Sequence, residues 1–380
     1  MDNIIKENSK WINETWQKID EKLSKVALRS RDKLPYTAYN GIHDDKKIED
    51  ISWWTNGFWA GLMWLMYKQT GNEDYRKTAE HSECLLDEAL KDYDSLHHDV
   101  GFMWHLSSGA NYKITGNKNA RTKNLFMASV LFSRYNVDGD YIRAWNGDCV
   151  GYSIIDCLMN IPLLYWASNE IGDNRFKKIA MRQMDMVIND HIREDGSIYH
   201  IVNHKSETKG VEEILAGQGY SENSCWSRGL AWAVYGSVLS YIHTKKKEYL
   251  EAAIKTAKYF INHVKETDYV PVIDFLAPKE PIYYDSTAGV CAACGMLEIA
   301  KCVDADEARF FTKEAINILK AIDLKCCDYN VNTDPLVLYG SVLYPHSDDL
   351  LNNVHIPIIY GDFFFVEAMM KLKKNDFLIW

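Results

Sequence analysis

Apolar residues recur at intervals of three and four along almost the whole chain, and alternating β-branched runs are scarce, so the sequence reads as nearly all helix. Short polar joints punctuate it: Gly71-Asn-Glu-Asp-Tyr75, Gly116-Asn-Lys118, Gly172-Asp-Asn-Arg-Phe176, Lys246-Lys-Glu-Tyr249 and Asp304-Ala-Asp-Glu307. The segments between joints are of two kinds. Those beginning near Trp54, Phe102, Gly151, Trp226, Ser286 and Asp362 are apolar nearly all round, the mark of a helix buried on every side. Those beginning near Asn3, Asp74, Asn119, Asn174, Lys247 and Asp306 are amphipathic; after Gly172 the apolar stripe is Phe176, Ile179, Ala180 and Met184. Six buried helices alternating with six half-exposed ones predict an inner ring wrapped by an outer one. The expected fold is all-α, an (α/α)6 barrel built as one domain over residues 1–380. Tetratricopeptide or HEAT repeats are the alternative, but no such consensus appears.

Inner helices of such a ring all run the same way, so the segments leading into them gather at one rim, with helix N-termini pointing into it. Those segments are Trp53-Trp-Thr-Asn-Gly57, His97-His-Asp99, Asn146 to Gly151, Gln218 to Arg228, Tyr283-Tyr-Asp-Ser-Thr287 and Tyr360-Gly-Asp362. Helix capping accounts for Asp148, Asp285 and Asp362. It does not account for the aromatics, the imidazoles or Arg228. Asp156 is the strongest exception, because the stretch from Val150 to Ala167 around it is almost wholly apolar. A carboxylate held against apolar walls is costly to ionise, which suits a group that must give a proton and take it back. Twelve Trp and twenty-three Tyr exceed what core packing tends to need, and such rings commonly line sites that grip rings or apolar faces of ligands. Trp59, Trp64 and His105 sit at core spacings and are expected to be structural.

Charge and cysteine usage exclude other classes. The formal net charge is -10, and no Lys/Arg cluster is interleaved with aromatics, so nucleic acid is not an expected partner. No segment has the length of a signal-peptide core or a membrane span, which points to a cytoplasmic protein. Nine cysteines scattered through apolar segments fit reduced thiols, and the lone Cys291-Ala-Ala-Cys294 is explained by a helix of small residues.

The motifs resemble those of the unsaturated glucuronyl hydrolases, glycoside hydrolase family 88. The likeness rests on Ile154-Ile-Asp-Cys-Leu-Met-Asn-Ile-Pro-Leu-Leu164, His98-Asp-Val-Gly-Phe102, Gln218-Gly-Tyr220 and Trp226-Ser-Arg-Gly-Leu-Ala-Trp232. Trp54-Thr-Asn-Gly-Phe-Trp59, Asp195-Gly-Ser-Ile-Tyr-His200 and Tyr360-Gly-Asp-Phe-Phe364 add to it. That family has an (α/α)6 barrel and acts on oligosaccharides whose terminal uronate carries a C4=C5 double bond. The resemblance implies that Asp156 is the general acid and base and that Asp99 is the second carboxylate, holding a sugar hydroxyl and tuning Asp156. It places His200, Gln218 and Arg228 against the uronate, with Arg228 gripping its carboxylate. Trp54 and Trp232, with His98 beside them, would wall the sugar rings. No metal or organic cofactor is implied. The segment from Tyr344 to Tyr360 contains no Lys or Arg to hold a sulfate on the neighbouring sugar. The rivals are an unsaturated rhamnogalacturonyl hydrolase acting on pectin fragments, and a non-catalytic sugar-binding toroid.

Overall fold

The computed structural model describes residues 1–205 and 207–380. Its inner ring consists of Phe58–Thr70, Gly101–Gly109 continuing into Ala110–Thr115, Pro162–Ile171, Ser227–Thr244, Ser286–Ile299 and Ile359–Leu372. The outer ring consists of Ser9–Arg29, Glu73–Leu86, Lys118–Ser133, Asn174–Asp190, Lys247–Val264 and Ala305–Cys326. Ile359–Leu372 packs on Phe58–Thr70, which closes the inner ring into the expected (α/α)6 barrel. One apolar cluster runs from Ile5 to Trp380. Every residue from Ser286 to Ile299 is buried, whereas Asn174–Asp190 buries Phe176, Ala180, Gln183, Met184, Met186 and Val187 and leaves its other face wet.

The joints between inner and outer helices repeat one turn. Gly71, Gly116 and Gly172 end their helices in the left-handed region that a side chain would disfavour. Asn72, Asn117 and Asp173 follow at once, and each side chain accepts a backbone N–H of the next helix. Two helix ends are satisfied within a few residues, so each pair folds back antiparallel.

One inner helix starts later than its composition suggests. Gly151 to Met159 is not helical in the α sense: Tyr152–Ile154 is a strand, and Ile155–Met159 is a tight 3-10 turn that carries Asp156. The α-helix begins at Pro162, which fits its first turn because proline has no N–H to donate there. The strand pairs antiparallel with Ile201–His204, which pairs in turn with Val211–Leu215, so a three-stranded sheet sits on an otherwise helical rim. The first turns of the preceding inner helix depart from α geometry as well, since Gly101–Gly109 is a π-helix. Among the described residues no helix is long and apolar enough to cross a membrane.

At the opposite end, where inner helices finish, a charged cluster is sealed from water. Lys371 Nζ donates to Glu298 Oε1 at 2.6 Å and stands 3.5 Å from Glu367 Oε1, which accepts from the Tyr235 hydroxyl and the Trp380 indole. Removing the cation leaves the buried Glu367 with neutral donors alone and Glu298 with only Lys301, 3.0 Å away. Lys371→Met is therefore expected to lower stability by about 3–5 kcal/mol, read as a fall in urea midpoint with the slope unchanged.

Candidate active site

The rim segments converge on a cavity of about 530 Å³. Trp53 and Trp54 enter it from the first inner helix, His97, His98 and Asp99 from the second, Asp156 from the third, Gln218 from the loop ahead of the fourth, and Tyr360 from the sixth. Trp54 stacks on Tyr360 with ring centroids 5.3 Å apart, giving the cavity an aromatic wall. Among the described residues lining the cavity there is no Lys or Arg. An anionic ligand must therefore be held by neutral donors and by positive charge lying deeper.

The strand pairing sets Asp156 against His200. The Ile155 N–H donates to the His200 carbonyl at 3.1 Å, continuing the ladder in which Ile154 faces Ile201. Asp156 Oδ2 then lies 3.5 Å from His200 Nε2, and neither atom has a hydrogen-bond partner among the described residues. The other ring nitrogen fixes the tautomer: His200 Nδ1 accepts the Gln218 backbone N–H at 2.9 Å, so the proton sits on Nε2 and faces the carboxylate. The imidazole also lies over the Trp226 indole, with centroids 4.2 Å apart. Asp156 is thus a buried acid with one oxygen free and a ring N–H waiting beside it.

Asp99 is held differently. Its Oδ2 lies 3.4 Å from His97 Nδ1 and 3.3 Å from His98 Nε2, while Oδ1 accepts from Asn160 Nδ2 at 2.9 Å. Burial, and then the negative charge of nearby Asp156, push the Asp99 carboxyl well above the usual range; the Asn160 hydrogen bond opposes this without cancelling it. Burial likewise holds His97 down to about 4 and His98 well below the ordinary imidazole range, so both rings are neutral at pH 7. These three residues bring ligand-type atoms within 4.8 Å of one another, the one such group among the described residues. Their mutual contacts account for the grouping without an ion.

Asn160 links both acids. Its Oδ1 accepts the Phe102 N–H at 2.8 Å, and its Nδ2 donates to Asp99 and, at 3.3 Å, to the Asp156 carbonyl. Gly101 makes this approach possible, because a Cβ there would stand 2.6 Å from Asn160 Oδ1 and 2.7 Å from its Cα. Sequence reading passed over Asn160, although its position four residues after Asp156 is the spacing at which side chains share one face of a turn. It also passed over Tyr36, Trp145 and Val342, which line the cavity from loops with no periodic signal.

Two expected contacts are corrected. Arg228 offers no open fork to a ligand: it is buried, its Nη1 is 2.6 Å from Asp285 Oδ2 and also holds the Ser341 carbonyl, its Nη2 holds the Val342 carbonyl, and its Nε is buried with no partner among the described residues. Asp285 draws it inward while also capping the helix that begins at Ser286. Trp232 is fully buried beneath Phe102, Tyr360 and Phe364, so it backs the wall rather than forming it. Of the expected caps, Asp362 instead accepts the Leu336 and Val337 N–H groups from inside its helix, and Asp148 is exposed in a turn. Trp59, Trp64 and His105 are buried in the core as expected, and Cys291 and Cys294 are buried free thiols.

The Glycosyl Hydrolase Family 88 profile matches residues 25–241. The unsaturated glucuronyl hydrolase of Bacillus sp. (strain GL1) is 32% identical over 342 residues, covering 88% of this chain and 89% of that protein. The unsaturated chondroitin disaccharide hydrolase of Streptococcus pyogenes serotype M1 is 32% identical over 336 residues, covering 86% and 83%. The crystal structure of the Bacillus sp. GL1 enzyme, described as responsible for the degradation of glycosaminoglycan, superposes with a TM-score of 0.86 at 29% identity over 94% of this chain and 97% of that one.

Folding raises the pKa of Asp99, so the native state keeps that proton to higher pH than the unfolded chain does, and stability is lost as pH climbs above the ordinary carboxylate range. Asp99→Asn removes this cost. The variant is expected to be more stable than wild type at pH 7, with the advantage shrinking as pH falls toward about 4, measured by urea denaturation at several pH values. Arg228→Ala leaves Asp285 buried and unpaired, and is expected to cost about 3–5 kcal/mol in the same assay.

Proposed function

The chain belongs to glycosyl hydrolase family 88, and from that premise we propose that it releases 4,5-unsaturated glucuronate from the non-reducing end of glycosaminoglycan fragments, with Asp156 as acid and base. The relatives favour this substrate over the rhamnogalacturonyl alternative.

The double bond of such a uronate is a vinyl ether, conjugated to the carboxylate and joined at C5 to the ring oxygen. Protonated Asp156 delivers its proton to C4, and the ring oxygen shares the positive charge that develops at C5. Water then adds to C5 while the Asp156 carboxylate takes up a proton from it, which restores the acid. The C5 hemiketal opens to a ketone, and C1 becomes a hemiacetal still bearing the glycosidic oxygen. Its collapse to an aldehyde expels the remaining sugar. One carboxyl performs both proton transfers on one face, so a second carboxylate at glycosidase spacing is not required.

The observation that carries this reading is the buried Asp156 with its unengaged Oδ2 beside the His200 Nε2–H. That N–H steadies the ionised form of Asp156 after proton delivery. Asp99, tied to Asn160, is the partner that holds a sugar hydroxyl. Trp54 and His98 flank the sugar, and Gln218 faces the reacting centre through the same loop that orients His200. Arg228 acts one layer back, placing Val342 and lending positive charge behind Tyr360, while Trp232 supports that wall. Proton transfer and water supply all of the chemistry, and no organic cofactor enters it.

Lyase-generated unsaturated disaccharides are expected to lose the ultraviolet absorbance of the conjugated double bond when mixed with the protein. An absorbance that stays constant with chondroitin, hyaluronan and heparin-type substrates alike would sink the hydrolase reading. Asp156→Asn is expected to lower turnover by about three decades, the range lost when a positioned acid and base is removed.

A further inference from the structure

Behind the cavity wall lies a buried polar cluster that no step of the proposed reaction uses. Ile154 faces the cavity, so the alternating strand turns Ser153 to the other side of the sheet, where it is fully buried. Its hydroxyl lies 2.8 Å from His191 Nε2 and 2.8 Å from His204 Nε2. A hydroxyl has one proton to give, and the partners decide where it goes. His191 Nδ1 donates to the Tyr199 carbonyl at 3.0 Å, so Nε2 of the neutral ring is an acceptor and takes the Ser153 O–H. His204 must then donate its Nε2–H to the Ser153 oxygen. Burial holds both imidazoles down, to about 3 for His191 and about 4 for His204, so both rings are neutral at pH 7, with His204 Nδ1 3.7 Å from Asp190 Oδ2.

The cluster joins the two chain segments that carry the reacting groups. Tyr199 is gripped on both sides by His191, whose ring donates to its carbonyl and whose carbonyl accepts its N–H at 2.8 Å. His200 is the next residue. Ser153 stands three residues before Asp156, in the middle of the strand that leads into the 3-10 turn. The path from Asp156 back to Ser153, through His191 to Tyr199 and on to His200 is therefore hydrogen-bonded or covalent throughout. On the cavity side the same two segments meet at the 3.5 Å approach of Asp156 Oδ2 to His200 Nε2. The other neighbours of the hydroxyl, the Val202 carbonyl at 3.4 Å and Met186 Sδ at 4.0 Å, are longer contacts that lead away from the site.

We propose that Ser153 is a positioning residue: its hydrogen bond to His191 fixes the separation of Asp156 and His200 and thereby sets turnover rather than substrate affinity. The inference rests on the reading of Asp156 as acid and base. It needs no contact between Ser153 and substrate, since Ser153 is fully buried and does not line the cavity.

The test is a double-mutant cycle on unsaturated disaccharide hydrolysis, with Ser153→Ala, His200→Ala and the pair. Ser153→Ala is expected to lower kcat about tenfold or more, as misplacement of a reacting group does, with KM within about twofold of wild type. Ser153→Thr keeps the hydroxyl and is expected to recover most of that loss. In the His200→Ala background, Ser153→Ala is expected to lower kcat no further. An unchanged kcat in folded Ser153→Ala overturns the proposal, and so does an undiminished loss in the His200→Ala background, which would mark a general structural defect. If Ser153→Ala fails to fold, His191→Asn breaks the same link from the other side and is judged by the same cycle. A wild type that consumes no disaccharide fails the hydrolase reading itself, whereas an active wild type matched by Ser153→Ala fails this inference alone.

Discussion

An amide side chain has two N–H donors and one strong acceptor, and Asn160 uses both kinds of group to hold the site together. Its oxygen takes the Phe102 N–H at the start of one inner helix, and its nitrogen reaches Asp99 on that segment and the Asp156 carbonyl on its own. Each of these bonds is buried, so each is worth more kept than any replacement by water would be. They tie the segment that carries Asp99 to the one that carries Asp156, across the like-charge repulsion that ionisation of Asp99 beside Asp156 would bring. The barrel supplies rigidity, and the amide turns that rigidity into a fixed relation between the acids.

The electrostatics follow from where the positive charge sits. The cavity lining carries acids and no Lys or Arg among the described residues, yet its ligand is proposed to be an anion. Arg228 resolves part of this from behind, its guanidinium lying 5.3 Å from the centre of the Tyr360 ring and 4.5 Å from that of Trp226. A guanidinium already paired with Asp285 is rigid and desolvated, so it offers a fixed field and a scaffold for two carbonyls rather than a mobile clamp. Discrimination among anionic sugars then falls to shape and to neutral donors.

Much of the barrel was legible because burial writes itself into composition at helical spacing. Segments beginning at Trp226 and Ser286 read as apolar on every side, and the inner helices begin at Ser227 and Ser286. The Gly151 segment was misread for the same reason: its composition is that of a buried helix, but its partner is the strand after His200, which no local pattern announces. Asp156, Asp99, His98 and Trp54 were visible as polar or aromatic exceptions at the rim, and all four line the cavity. Arg228 and Trp232, four residues apart, share a helical face, but which face points at the ligand depends on Asp285, Phe102 and Tyr360, residues remote in sequence. Spacing fixes phase along one helix and says nothing of what the neighbouring helix does with it.

The π-helical start of the second inner helix carries a consequence of this kind. Each hydrogen-bonded loop of a π-helix encloses one residue more than an α-helical loop, so Gly101–Gly109 is an α-helix with its count off by one. Returning the count to α by one deletion would swing everything ahead of it by about 100° around the helix axis, the rotation of a single residue. Asp99 would leave the Asn160 amide and face the ring's interior or its outside, while Ala110–Thr115 stayed packed as before. The azimuth of the second acid is thus stored as an integer, and substitutions that keep the chain length can erode it only gradually, whereas one lost codon would reset it at a stroke.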